Sequence, residues 1–141
     1  MSIKPIFELV EETRRDLDNL SIEQLKYEME ERDDLLLLDV RELQETVDLG
    51  TIPGARNAPR GMLEFWADPA SPYYRDCFAE DRRIVLFCAA GGRSALAAKA
   101  LKDMGYPDVA HLAAGFNGWA KAGEAVQESA NTRRWMRKPL A

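Results

Sequence analysis

The sequence predicts an α/β domain built on a mainly parallel sheet, and three observations carry that prediction. Short apolar runs at residues 35–40, Ile84–Phe87 and Val109–Leu112 sit between turn residues, as strands covered on both faces do. Amphipathic stretches with helical spacing alternate with those runs, the pattern of strands joined by crossover helices. The length, 141 residues, suits one domain that buries a core without metal or disulfide staples.

Residues 5–18 read as a helix, because Ile6, Leu9, Val10, Thr13 and Leu17 recur at three- and four-residue spacing. Its stripe would pack on the domain or on a second copy of itself. Ser21 and Gln24 form a capping-box signature, and Ile22, Leu25 and Met29 behind it share one face of a second helix. A polar turn covers residues 30–34. The run at 35–40 contains four leucines, which are good helix formers, but its shortness and the preceding turn favour a buried strand.

Residues 42–49 read as helical, and Ile52-Pro53-Gly54-Ala55 as a turn. Between 61 and 80, Pro69 and Pro72 interrupt an aromatic group of Phe65, Trp66, Tyr73, Tyr74 and Phe78. We read short helices in a long connection there, either core or a wall beside a site entrance. Ile84–Phe87 is the clearest strand and runs straight into Cys88 and Gly91-Gly92. An alanine-rich helix over 94–104 ends at Gly105, a suitable left-handed stop. A strand at Val109–Leu112 and a short helix over 116–122 follow. Residues 124–141 read as a polar tail, in which Trp135 and Met136 could dock back on the domain.

The charge balance, 19 basic against 24 acidic residues, would repel a nucleic-acid backbone unless one face were strongly basic. The one dense basic run, Arg133, Arg134, Arg137 and Lys138, reads as a solvated tail, so no nucleic-acid partner is expected. No apolar run approaches the roughly twenty residues of a membrane span, and no signal peptide is visible. No membrane partner and a cytoplasmic location are therefore expected. Two cysteines suit a reducing compartment rather than a secreted disulfide framework. With a single histidine, His111, a His-based zinc site or a Ser-His-Asp triad lacks partners, so no metal is expected.

The chemistry concentrates in Phe87-Cys88-Ala89-Ala90-Gly91-Gly92-Arg93-Ser94. A thiol stands at the C-terminal end of a buried strand, where α/β folds place their ligands. The small residues after it let backbone N–H groups turn inward, a helix N-terminus adds partial positive charge, and Arg93 adds a cation. All three favour an anion at the sulfur, so Cys88 is expected to act as a thiolate nucleophile in an anion cradle. A buried structural cysteine before a glycine turn would lack this convergence.

The segment Cys88 to Ser94 resembles the active-site loop of the rhodanese family of sulfurtransferases. Two further segments resemble that family in the correct order: Asp39-Val40-Arg41-Glu42 with Glu45 and residues 50–55, and Ala114-Gly115-Phe116-Asn117-Gly118-Trp119. The match covers about residues 18–123, leaving 1–17 as a helical extension and 124–141 as a tail. The resemblance implies a rhodanese-like domain with about five short strands flanked by helices, plus an extra N-terminal helix. It implies that Cys88 takes a sulfane sulfur from a donor such as thiosulfate, becomes a persulfide and passes the sulfur to a thiol or cyanide, without a cofactor. The loop Ala89, Ala90, Gly91, Gly92, Arg93 and Ser94 would bind the anion, with Arg93 favouring the thiosulfate dianion. Asp39 and Arg41 would support the loop.

The chain departs from the family pattern at Thr51, where histidine is common, and at Ala114, where glycine is. Two other readings stay open. One is a persulfide relay or binding module acting with a protein partner. The other is a thiol phosphatase or arsenate reductase, which would use a C-x5-R loop, whereas Cys88 and Arg93 are spaced as C-x4-R. Cys77 is either a resolving thiol or a partly buried spectator. His111 reads as a satisfied core or surface residue, and Glu45 as a surface or ion-pair residue.

Overall fold

The computed structural model describes residues 2–128, so Trp135, Met136 and the basic run, with the expectations placed on them, lie outside the described residues. Among the described residues five parallel strands, β1 (Asp18–Leu20), β2 (Leu36–Asp39), β3 (Arg56–Asn57), β4 (Ile84–Phe87) and β5 (Val109–Leu112), form one sheet in the order β1-β5-β4-β2-β3. Every residue of β2, β4 and β5 is buried, as expected for strands that carry helices on both sides.

Among the described residues the α-helices are α1 (Ile6–Arg14), α2 (Ile22–Glu31), α3 (Leu43–Leu49), α4 (Leu63–Ala67), α5 (Gly92–Met104) and α6 (Gly115–Lys121). One sheet face presents Leu36, Leu38, Val40, Ile84, Leu86 and Cys88 to α4 and α5. The opposite face packs Leu37, Val85, Phe87, Ala110 and Leu112 against Leu25 of α2 and Phe116 and Trp119 of α6. Ser21 and Gln24 make the expected reciprocal cap at the start of α2, at 3.1 and 2.8 Å.

The N-terminal helix is shorter than its spacing implied. It ends at Arg14 rather than at residue 18, and residues 18–20 form an edge strand paired with β5. The physical reason is Asn19: its side-chain amide donates to the carbonyls of Arg14 and Leu17, both at 3.0 Å, and closes the helix end. Asn competes for backbone partners in this way and so favours helix ends over interiors. The two-residue β3 was not read from the sequence, since two residues carry no periodicity. In the 61–80 connection Leu63, Ala67 and Phe78 are buried core, while Phe65 and Tyr73 stay exposed. The first residues of the tail return to the domain: Gln127 bridges Thr51 by two backbone bonds of 2.9 Å. Among the described residues no helix is long and apolar enough to cross a membrane.

Candidate active site around Cys88

The parallel sheet delivers Cys88 to the C-terminal edge of its central strand β4, on the face covered by α5, with 1% of its surface exposed. The chain then turns through Ala89 and the exposed Ala90 to Gly91, whose φ of +96° favours glycine. A Cβ at Gly91 would lie 2.4 Å from the Ala113 carbonyl oxygen. This tight turn starts α5 beneath the sulfur. The N–H groups of Gly91 and Ser94 donate to Cys88 Sγ at 3.2 and 3.4 Å.

The N–H groups can face the sulfur because the loop's carbonyls are tied elsewhere. Phe116 N–H donates to the Cys88 carbonyl at 2.7 Å, and Asn117 N–H to the Ala89 carbonyl at 3.0 Å. Gly115 permits that approach, since a Cβ there would lie 2.4 Å from the Ala89 oxygen. The third sequence motif is thus a clamp on the back of the loop. Ala114 is accommodated because the residue facing its Cβ is Gly118.

Asp39 and Arg41 form a fully buried ion pair at the end of β2, closed at 2.7 Å. Asp39 also accepts from Thr46 Oγ1 at 3.1 Å and from Thr51 Oγ1 at 3.0 Å, so Thr51 has a defined partner at the departure position. Arg41 donates to the Gly50 carbonyl at 2.6 Å and lies over the ring of Phe116, 4.3 Å from its centre, and near Phe87 at 5.9 Å. Phe87 precedes Cys88 and the Phe116 N–H donates to the Cys88 carbonyl, so Arg41 lies against two residues that adjoin the loop.

Arg93 does not stand free at the rim. It makes a two-pronged pair with Glu45, at 2.7 and 2.9 Å. The guanidinium holds the Glu45 carboxyl below the ordinary carboxylate range. Gly92 is half-buried. Cys77 is a half-buried free thiol against the edge of the core, and no disulfide links it to Cys88.

Behind the sulfur lies an arrangement that sequence reasoning missed. Ser94 Oγ is 3.6 Å from Cys88 Sγ and 2.9 Å from His111 Nδ1, and His111 Nε2 is 2.7 Å from Asn19 Oδ1. His111 is fully buried, and burial followed by the nearby Arg14 cation pushes its pKa down to about 4. The satisfied core histidine is therefore aligned on the site. The one signal available was register: β5 pairs His111 with Leu86 on one side and with Asn19 on the other.

The rhodanese-like domain family matches residues 21–122. A sulfurtransferase of Allochromatium vinosum is 29% identical over 107 residues, which span 76% of this chain and 92% of that protein. A putative sulfur carrier protein of Bacillus subtilis, YrkF, is 29% identical over 77% of this chain, which spans only 54% of its length. Among solved structures, a Rhodopseudomonas palustris protein of unknown function, described as a possible tyrosine phosphatase, is 38% identical with a TM-score of 0.84, covering 90% of this chain and 98% of its own. With 102 consecutive residues matched and the parallel fold in place, the chain belongs to the rhodanese-like domain family.

Proposed function

We propose that the protein transfers sulfane sulfur through a persulfide on Cys88. Family membership supports a sulfurtransferase or sulfur-carrier role, and the pair of N–H donors at Cys88 Sγ is the single observation that carries the residue-level reading. A thiolate in that cradle attacks the outer sulfur of a donor; the S–S bond of the donor breaks and its remaining anion leaves. The persulfide's outer sulfur is anionic near neutral pH, and the loop dipoles stabilise it in place. A thiol or cyanide then attacks that outer sulfur, and Cys88 departs as thiolate.

Thiosulfate is the proposed donor. Arg93 is the cation beside the loop, and the donor dianion competes with Glu45 for it. Asp39 and Arg41 act as supports, and the reading places the protein in a reducing compartment such as the cytoplasm, where Cys88 stays available. A thiol phosphatase would need the wider C-x5-R loop, and here Arg93 is engaged by Glu45.

A thiosulfate–cyanide assay tests the reading. Cys88→Ser is expected to abolish transfer with the fold intact, while Cys77→Ser keeps most of the rate. Near-normal transfer by the Cys88 variant would overturn the mechanism, and turnover of an aryl phosphate by the wild type would favour the phosphatase reading.

A further inference from the structure

The chain that runs from the buried Cys88, Ser94 and His111 to the exposed Asn19 has a defined hydrogen-bond direction. Asn19 Nδ2 faces two carbonyls, of Arg14 and Leu17, and carbonyls can only accept. The amide is therefore oriented with its oxygen toward His111 Nε2, and that nitrogen must carry a hydrogen. Burial and Arg14 oppose a second proton on the ring, and Asp18 opposes them only weakly. Nδ1 is then a bare acceptor, and the Ser94 hydroxyl lies 2.9 Å from it, closer than to its other acceptor, the Gly91 carbonyl at 3.3 Å.

We infer that His111 is a positioning residue for the Cys88 chemistry: oriented by Asn19, its Nδ1 accepts a hydrogen bond from the Ser94 hydroxyl, which leaves a Ser94 oxygen lone pair facing Cys88 Sγ. The inference rests on the persulfide reading for its consequence, not for its geometry. A Cys88 thiol can donate S–H to Ser94 Oγ across the 3.6 Å gap. A Cys88 thiolate receives the two loop N–H groups, while the Ser94 hydroxyl stays turned away, because turning it would strip a buried Nδ1 of its partner. The sulfur that must leave as thiolate during unloading is thus less stabilised than the loop alone would make it. The arrangement tilts the site toward holding its sulfur until a strong acceptor arrives, and so toward sulfur carriage.

The arrangement also draws the N-terminal segment into the site. Asn19 and the carbonyls that orient it lie before residue 21, where the family match begins. The closing group of the chain is supplied by β1 and the end of α1.

Because the protein has one histidine, nitrogen-15 NMR of the full chain reads this imidazole without overlap. The expected result is a neutral ring protonated on Nε2 from about pH 5 to pH 8, in keeping with its lowered pKa. A ring protonated on Nδ1, or an imidazolium appearing near neutral pH, would overturn the inference. Ser94→Ala and Ser94→Thr supply a second readout, in a Cys77→Ser background with Cys88 followed by mass. Loss of the oxygen in Ser94→Ala should speed both alkylation of Cys88 near pH 6 and cyanide removal of a loaded sulfur by several-fold, while Ser94→Thr, which keeps the hydroxyl, should show neither acceleration. Slower or unchanged rates in Ser94→Ala would also overturn it. If Cys88 never loads sulfur, the proposed function fails, whereas the ring state and the alkylation rates still decide this inference.

Discussion

Two polar clusters flank the Cys88 loop, one wholly buried and one that runs from the core to the exposed Asn19, and they are built on opposite principles. Asp39 and Arg41 are both charged, both fully buried, and joined to each other, to Thr46 and Thr51 and to the Gly50 carbonyl. They fasten β2 to the turn after α3 and reach the loop through the rings of Phe87 and Phe116. Ser94, His111 and Asn19 are uncharged, on the face that carries α5, and their chain ends on the sulfur itself. The difference teaches that the charged cluster joins parts of the scaffold, whereas the neutral one reaches the sulfur of Cys88, the proposed nucleophile. A full charge beside the sulfur would dominate its chemistry; a hydroxyl turned one way or the other only adjusts it.

Removing one half of the charged pair should give the largest effect. Asp39→Ala strands the Arg41 guanidinium in the core and is expected to cost about 3–5 kcal/mol in denaturant unfolding. A loss below about 1 kcal/mol, the scale of an exposed pair, would break the comparison by showing that the pair bears little.

The neutral cluster should reveal itself through acid. His111 titrates near 6.5 when unfolded and is pushed down to about 4 in the fold, so between those values the unfolded chain binds the extra proton. Stability is expected to be full above about pH 6.5 and to fall by about 3 kcal/mol as pH drops to 4, with that slope absent in a His111→Gln variant. An identical acid slope in that variant would remove His111 from the account.

Gly115→Ala probes what the two clusters serve. A Cβ at that position meets the Ala89 and Ala90 backbone, so a loss of about 1–3 kcal/mol is expected together with a fall in transfer rate. Unchanged transfer at reduced stability would show that the loop tolerates movement. The smallest effect sharpens the contrast with a half-buried pair. Glu45→Gln should change stability by less than about 1 kcal/mol while lowering KM for thiosulfate, because Arg93 is released toward the donor. An unchanged KM would remove Arg93 from donor recognition.

The parts of the fold that repeat were legible in the sequence. The buried strands, the Ser21 cap, the helix stop at Gly105 and the order of the three motifs all follow from local spacing and local chemistry. The short edge strands were not, because β1 and β3 exist through pairing with β5 and β2 rather than through any pattern of their own. The site divides in the same way. Cys88 and its glycine turn are contiguous, and so were readable. The partnership of Arg93 with Glu45 and the line from Ser94 to Asn19 join residues 48 and up to 92 positions apart; helix packing brings the first pair together and strand register sets His111 beside Asn19.

The most direct test of the central claim is the intact mass of the reduced, folded protein before and after thiosulfate, with peptide mapping. The account predicts a gain of one sulfur atom, located on Cys88 and removed by cyanide or a thiol. No gain, or a gain located on Cys77, would contradict it.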